Sequence, residues 1–309
     1  MSLYISPANM RTLEDRFQRL FNDDYAVAAE NAWWDQLMTT KPSSGRKEIY
    51  SFLLTTADIV DFDEGEMKFA NLLAKAFECE NRRRGVEGLK LSREQIEDDE
   101  FQFAKDWAAQ AGSAVAMDPQ YLALELLANG QTALGYDGVA FFSNSHPINV
   151  YDAGAGTYDN LMENNPLSLD NFNKAVARMK SFKMPNGRNR NLRPSLLVAG
   201  PSNERLALEI TNAAYISATS NLIATANGTK PLIINEIEDG SWYVVAQSGR
   251  AGTALNPFIY QIRRPFEMTS YTGMTQAELN RCDKFEWQVH GRSAACYGHP
   301  FQMVKSLAT

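Results

Sequence analysis

The chain is short of the residues on which most small-molecule chemistry relies. Three cysteines and three histidines among 309 residues are too few for a disulfide framework, and an odd cysteine count leaves one thiol over in any pairing. Cys79, Cys282 and Cys296 therefore fit a reducing, intracellular folding compartment. Long hydrophobic runs are missing too. The least polar stretch, residues 107 to 117, falls far below the roughly 20 apolar residues that cross a bilayer, so no membrane anchor is expected. Residues 1 to 10 are mixed polar and contain Pro7, which excludes the charged-then-apolar pattern of a secretory signal. Positive charge does not dominate either: 30 basic against 37 acidic residues leave a net charge of −7. That is the wrong sign for a protein whose primary ligand is a nucleic acid.

What is present is a globular composition. With 44% hydrophobic and 22% charged residues, the chain is neither disordered, collagen-like nor a coiled-coil rod. Its length suits about two domain-sized units or one large interdigitated domain. Residues 9 to 38 read as a helix, with Met10, Leu13, Phe17, Leu20 and Phe21 at spacings of three and four, running on to Trp33 and Trp34. The breaker cluster Lys41-Pro42-Ser43-Ser44-Gly45 sets this helix apart as an arm. Residues 46 to 91 string apolar residues among acids and end in two extended runs flanking Asn81-Arg82-Arg83-Arg84-Gly85, the pattern of a hairpin with a basic tip.

A long helix comes next. Ser92 is its cap, and Glu94, Glu97, Asp98, Asp99 and Glu100 lie near the positive end of its dipole. Asp118-Pro119 predicts a kink or restart before Leu122, Leu126 and Leu127, and Asn129-Gly130 a stop. Residues 135 to 166 are turn-rich. Beyond them the pattern is mixed α/β: a helix over 169–182, strands over 195–199, 232–237 and 242–246, a helix over 202–211, and strands over 258–264 and 285–297. Glu238-Asp239-Gly240-Ser241 reads as a hairpin turn between its two neighbouring strands.

Several candidate chemistries fail on spacing. Cys282, His290, Cys296 and His299 cluster near the C-terminus, and Cys296-x-x-His299 has ligand-like spacing. On one strand, however, His290 and Cys296 stand roughly 20 Å apart, far beyond the reach of one zinc ion; two small, partly buried cysteines and two surface histidines are the plainer reading. Ser143-Asn144-Ser145-His146-Pro147 offers a nucleophile beside a base, without the G-x-S-x-G elbow. Gly154-Ala155-Gly156-Thr157-Tyr158-Asp159 lacks both the third glycine and a preceding strand. Two basic stretches stand against the acidic background: Arg82, Arg83 and Arg84, and then Lys174, Arg178, Lys180, Lys183, Arg188, Arg190 and Arg193. Each is either a solvated surface or a contact with acidic surfaces of a partner or another copy.

Taken in order, several segments resemble a known family. They are Ser92-Arg93-Glu94-Gln95-Ile96-Glu97-Asp98-Asp99, the Ala-rich helix with Asp118-Pro119 and Leu126-Leu127, Tyr136-Asp137-Gly138-Val139-Ala140-Phe141-Phe142, Ser145-His146-Pro147, the strand and helix within 195–210, and Asp283-Lys284-Phe285-Glu286-Trp287 with Gly291-Arg292. Over most of residues 50 to 300 the chain resembles the major head subunit of bacteriophage Mu and its relatives, itself similar to capsid proteins of the HK97 type. The resemblance implies an α+β, HK97-type capsid fold: an N-terminal arm (1–45), an extended loop (46–91), a peripheral domain with a spine helix (92–167), a mixed α/β axial domain (168–262) and a return to the peripheral domain (263–309). It implies a non-enzymatic shell subunit, without cofactor or metal, that forms the hexamers and pentamers of an icosahedral head around double-stranded DNA held only non-specifically. Its partners would be copies of itself, a separate scaffold protein, a portal and a decoration protein. Its location would be the virion capsid, assembled in the bacterial host cytoplasm. A compartment shell of the encapsulin kind is the alternative within the fold; a metal-dependent hydrolase is the alternative outside it. The expected assembly contacts are Arg82, Arg83 and Arg84 against a neighbour's Glu94, Glu97, Asp98, Asp99 and Glu100, together with Trp33 and Trp34 of the arm.

Overall fold

Ser6 starts the first helix: its hydroxyl accepts from the Asn9 N–H, and Pro7 occupies a position whose N–H would have no partner. The computed structural model describes residues 5–53, 74–98, 102–212, 215–216, 219–220, 228–246, 256–273 and 275–307. Helix α1 (Pro7–Glu30) leads to four strands, β1 (Met38–Pro42), β2 (Lys47–Leu53), β3 (Ala74–Glu80) and β4 (Arg82–Ser92), then to α2 (Arg93–Glu97) and the long α3 (Gln102–Asn129). The turn-rich segment holds β5 (His146–Pro147), β6 (Thr157–Tyr158) and β7 (Leu161–Met162). The mixed half contains α4 (Leu169–Ser181), β8 (Leu196–Ala199), α5 (Glu204–Asn212), β9 (Tyr215–Ile216), β10 (Thr219–Ser220), β11 (Lys230–Ile233) and β12 (Trp242–Val245). The chain closes with β13 (Phe258–Tyr271), α6 (Gln276–Leu279), β14 (Lys284–Tyr297) and β15 (Met303–Ser306).

Two sheets organise these elements. In the first, ordered β1-β13-β14-β4, the long β13 and β14 pair antiparallel. Phe285, Trp287 and Val289 alternate onto its buried face. There they meet Leu89 and Leu91 of β4, Ala104 and Ala108 of α3, and Met10, Leu13 and Phe17 of α1. The arm helix is therefore not set apart; its apolar stripe packs on its own chain. Ala104, Ala108 and Ala111 let the two helices approach closely. At Gly112 a Cβ would stand 2.2 Å from the Phe21 carbonyl oxygen, so only hydrogen fits there. Pro119 lies inside α3 without ending it. Ala116 on one side and Leu122, Ala123 and Leu127 on the other are all buried, and this packing offsets the roughly 3 kcal/mol that an internal proline costs a helix.

The second sheet runs β11-β8-β12-β15-β7. One face, with Leu197, Ala199, Trp242, Val244 and Val304, lies under α4 and α5. The other, with Leu196, Val198, Tyr243, Val245 and Met303, faces Leu122 and Leu127 of α3 together with Phe141 and Phe142.

Three expectations are corrected. Strands β3 and β4 do not form a hairpin with each other: β3 pairs with β2, and β4 pairs with β14, placing Arg82, Arg83 and Arg84 opposite Ser293, Arg292 and Gly291. The arginines sit in a strand because Leu89 and Leu91, further along the same run, must reach the core. The turn at Gly240 is real, with φ +72°, yet it does not join a hairpin. The wholly apolar β8 needs a partner on each side and lies between β11 and β12. Finally, not all of 263–309 returns to the first sheet with β13 and β14: β15 pairs with β12 and β7. No helix among the described residues is long and apolar enough to cross a membrane.

Candidate assembly surfaces

Strands β2 and β3 form a two-stranded ribbon tied to the first sheet at its base. Gln261 of β13, fully buried, makes the joint. Its Nε2 donates to the Cys79 carbonyl at 3.1 Å and to Asn81 Oδ1 at 2.9 Å, and its Oε1 accepts from the Tyr50 hydroxyl at 2.9 Å. The Asn81 amide then donates to Ser43 Oγ at 2.6 Å and to the Gly45 carbonyl at 2.9 Å. Glu48 closes the turn by accepting from the Ser43 hydroxyl and from the N–H groups of Ser44 and Gly45. The Gly45 N–H foremost, then Ser43 and Ser44, hold its carboxyl below the usual range. Buried polar groups satisfied this completely fix a geometry, here the angle at which the ribbon leaves the body.

The arginine row divides. Arg84 binds Asp118 of α3 through Nε at 2.8 and 3.1 Å, with side chains only 32% and 12% exposed. It is committed within its own chain, which corrects its expected pairing with a neighbour. Arg82 and Arg83 are exposed and have no ion pair among the described residues. Of the expected acidic partners, Glu94 and Asp98 are exposed, and Glu97 meets Arg93 at 3.5 Å; Asp99 and Glu100 lie outside the described residues. Arg93 also donates to the carbonyls of Leu279 and Cys282, which anchors α2. A capping box between Ser92 and Gln95 starts that helix, so Ser92 caps the short α2 and not, as expected, the long helix, which is α3 from Gln102. Trp33 and Trp34 are half-buried against their own chain's core, Trp34 meeting Tyr260 edge-on at 5.3 Å.

The remaining histidines and cysteines disperse. Cys296 touches Cys79, not a histidine; that contact and burial push its thiol pKa up. Cys282 lies near Trp287 and Ile96 in another cluster, and His290 stands opposite Glu267 and Gly85. His299 lies between the rings of Tyr136 and Phe301, half-buried, not on the surface as expected. Burial, then Arg190 and Lys41, lower its pKa to about 4. No group of three or more His, Cys, Asp or Glu among the described residues is placed to hold a metal.

Sequence reasoning missed the buried hub around His146. Its Nδ1 lies 2.6 Å from Asp137 Oδ2, and its Nε2 lies 3.2 Å from both the Phe141 carbonyl and Asn160 Oδ1. Asn160 donates to Phe141 and Pro300 carbonyls and accepts from the Ser143 N–H, so its oxygen must face the ring. Both neighbours of Nε2 are acceptors, so Nε2 is the nitrogen that donates to them, while Nδ1 faces the Asp137 carboxyl. A ring enclosed in this way cannot serve Ser143 or Ser145 as a base. Its task is to tie the turn-rich segment to the second sheet, where Lys305 N–H donates to the Asn160 carbonyl.

Helix-braced first sheet, mixed second sheet and projecting ribbon define an α+β protein of the HK97-type capsid fold. A chain of the bacteriophage JBD30 procapsid is similar, with a TM-score of 0.54 at 19% identity, covering 98% of this chain and 76% of that one. So is a chain from the capsid of cyanophage P-SCSP1u, with a TM-score of 0.60 at 8% identity, covering 90% and 88%. The family described as the Mu-like prophage major head subunit gpT matches residues 10–166, 160–237 and 224–308, and the chain belongs to that family. The major capsid protein of Escherichia phage Mu is 25% identical over 171 residues, covering 55% of this chain and 54% of that protein. The chain thus spans about half the length of that curated relative in the alignment.

Proposed function

We propose that this protein is the major shell subunit of a Mu-like tailed phage, tiling hexamers and pentamers into an icosahedral head that encloses double-stranded DNA. The family match along nearly the whole chain carries the reading. The ribbon supports it: two paired strands with Ile49 62% exposed are marginal alone and gain stability by lying on another subunit. In this reading the arm is 1–45, the extended loop 46–91 and the spine-bearing peripheral unit 92–167, with the axial unit beginning near 168 and including β15. Its partners are further copies, a separate scaffold protein, a portal and a decoration protein, and assembly takes place in the host cytoplasm. The role is mechanical, not catalytic. A net charge of −7 suits a container whose DNA must slide in and out without adhering.

Sedimentation velocity of the chain, alone and co-expressed with the proposed scaffold protein, tests the proposal. Bodies far heavier than the 34.5 kDa monomer are expected; a monomer in both preparations overturns it.

A further inference from the structure

The second sheet carries opposite charge at its two ends. Strands β8, β11, β15 and β7 all run the same way, and β12 runs against them. The residues just after β8, β11 and β7, and those just before β12, therefore gather at one end. There the exposed carboxylates are Glu163, Glu204, Glu236, Glu238 and Asp239, and Asp170 opens α4, whose leading segment is tied to the same end by Asn165 accepting from Trp242 and Ser306. Arg205 offsets one of them. At the opposite end lie Arg193, three residues before β8, and Lys230, which starts β11 level with Leu196. The turn closed by the Lys183 to Asn189 bridge adds Lys183 and Arg188, and Lys180 ends α4 beside it. Arg190 fastens this turn to the sheet, stacked 3.9 Å over Phe301 and donating to the Lys183 carbonyl. Of the carboxylates at this end, Asp159 is taken by Arg178 at 3.0 Å and Asp137 is buried against His146.

From this polarity we infer that the basic end of one copy docks on the acidic end of the next, head to tail, around the ring of a capsomer. The inference rests on the shell reading and names the surfaces that close its rings. A second copy is the occupant that satisfies both ends at once. A polyanion such as DNA would satisfy only the basic end and would be repelled by a body of net charge −7. A contact between two different surfaces of one chain is heterologous, and it builds a closed ring when its rotation closes. Exposed Leu206 and Leu208 on α5 add apolar area beside the acidic end.

Charge reversal tests the pairing through its symmetry. The basic-end variant Lys180→Glu, Lys183→Glu, Arg193→Glu and the acidic-end variant Glu163→Lys, Glu236→Lys, Glu238→Lys change exposed side chains only, and circular dichroism checks that each folds. Either alone is expected to lower the yield of particles by about tenfold or more. Both sets together in one chain restore complementarity with the signs exchanged, and assembly returns. Wild-type particle yield under the same conditions separates the two levels of the argument. If wild type forms no particles, the shell reading fails and this inference with it. If wild type and both single-end variants assemble equally, or the combined variant stays monomeric while folded, the head-to-tail contact alone is overturned. Loss of duplex-DNA retention by the basic-end variant without loss of assembly would assign that end to the genome instead, and overturn it as well.

Discussion

His146 and Asp137 meet at 2.6 Å out of reach of water, their side chains 0% and 1% exposed. Removing one partner of such a pair strands the other without compensation, at a cost of about 3–5 kcal/mol. Asp137→Ala should therefore lower the urea midpoint sharply, whereas Ser143→Ala, which removes no partner of the ring, should leave it near wild type. Equal effects would refute the hub. His299 gives a signed pH dependence. Folded, it stays neutral down to about pH 4, while in the unfolded chain it protonates near its ordinary value of 6.5. Its contribution is therefore nil above that value. As pH falls from 6.5 toward 4, the unfolded chain binds a proton that the folded chain refuses, and stability is lost. Urea midpoints at about pH 7 and about pH 5 should separate less for His299→Phe than for wild type.

Among the elements, the tightest approach is that of α1 to α3 over Gly112. Alanine there would gain roughly 1 kcal/mol of helix propensity but must push against the backbone of Phe21, an overpacking worth about 1–3 kcal/mol. Gly112→Ala should lower the melting temperature; an unchanged or raised value would contradict the packing. Gln261→Leu leaves Tyr50, Asn81 and the Cys79 carbonyl without their common partner, so amide exchange in β2 and β3 should quicken while α3 stays protected. Helices α1, α3 and α4 were legible in the sequence because their apolar residues repeat at helical spacing, but two of their ends were not: α1 stops at Glu30, short of Trp33 and Trp34, and α3 starts at Gln102 and not at Ser92. Strand partners were not. Residues 76–80 and 86–91 look like a hairpin because they are adjacent, but pairing is decided by β2 and β14, the latter some 200 residues away in the chain. The same holds for β11 and β12 with β8 between them. The ribbon joint at Gln261 was invisible for this reason: a lone glutamine in an apolar strand gains meaning only once Asn81 and Tyr50 are brought to it.

For the whole molecule, these parts describe a subunit whose body is self-sufficient and whose edges are not. The arm helix, set apart in the sequence reading, is packed at home; in the proposed shell the ribbon, Arg82, Arg83 and the charged ends of the second sheet would make the contacts between copies. Many modest contacts repeated by closed symmetry hold a shell without any single strong interface. Arg82→Glu with Arg83→Glu should abolish assembly while leaving the monomer's melting temperature unchanged, because neither side chain has an ion pair among the described residues; normal shells from this variant would return both arginines to the solvent. The most direct measurement is electron microscopy of the wild-type chain co-expressed with the proposed scaffold protein. Closed icosahedral particles, with this chain resolved as their continuous wall, are the predicted result. A preparation containing only dispersed monomers would contradict the account.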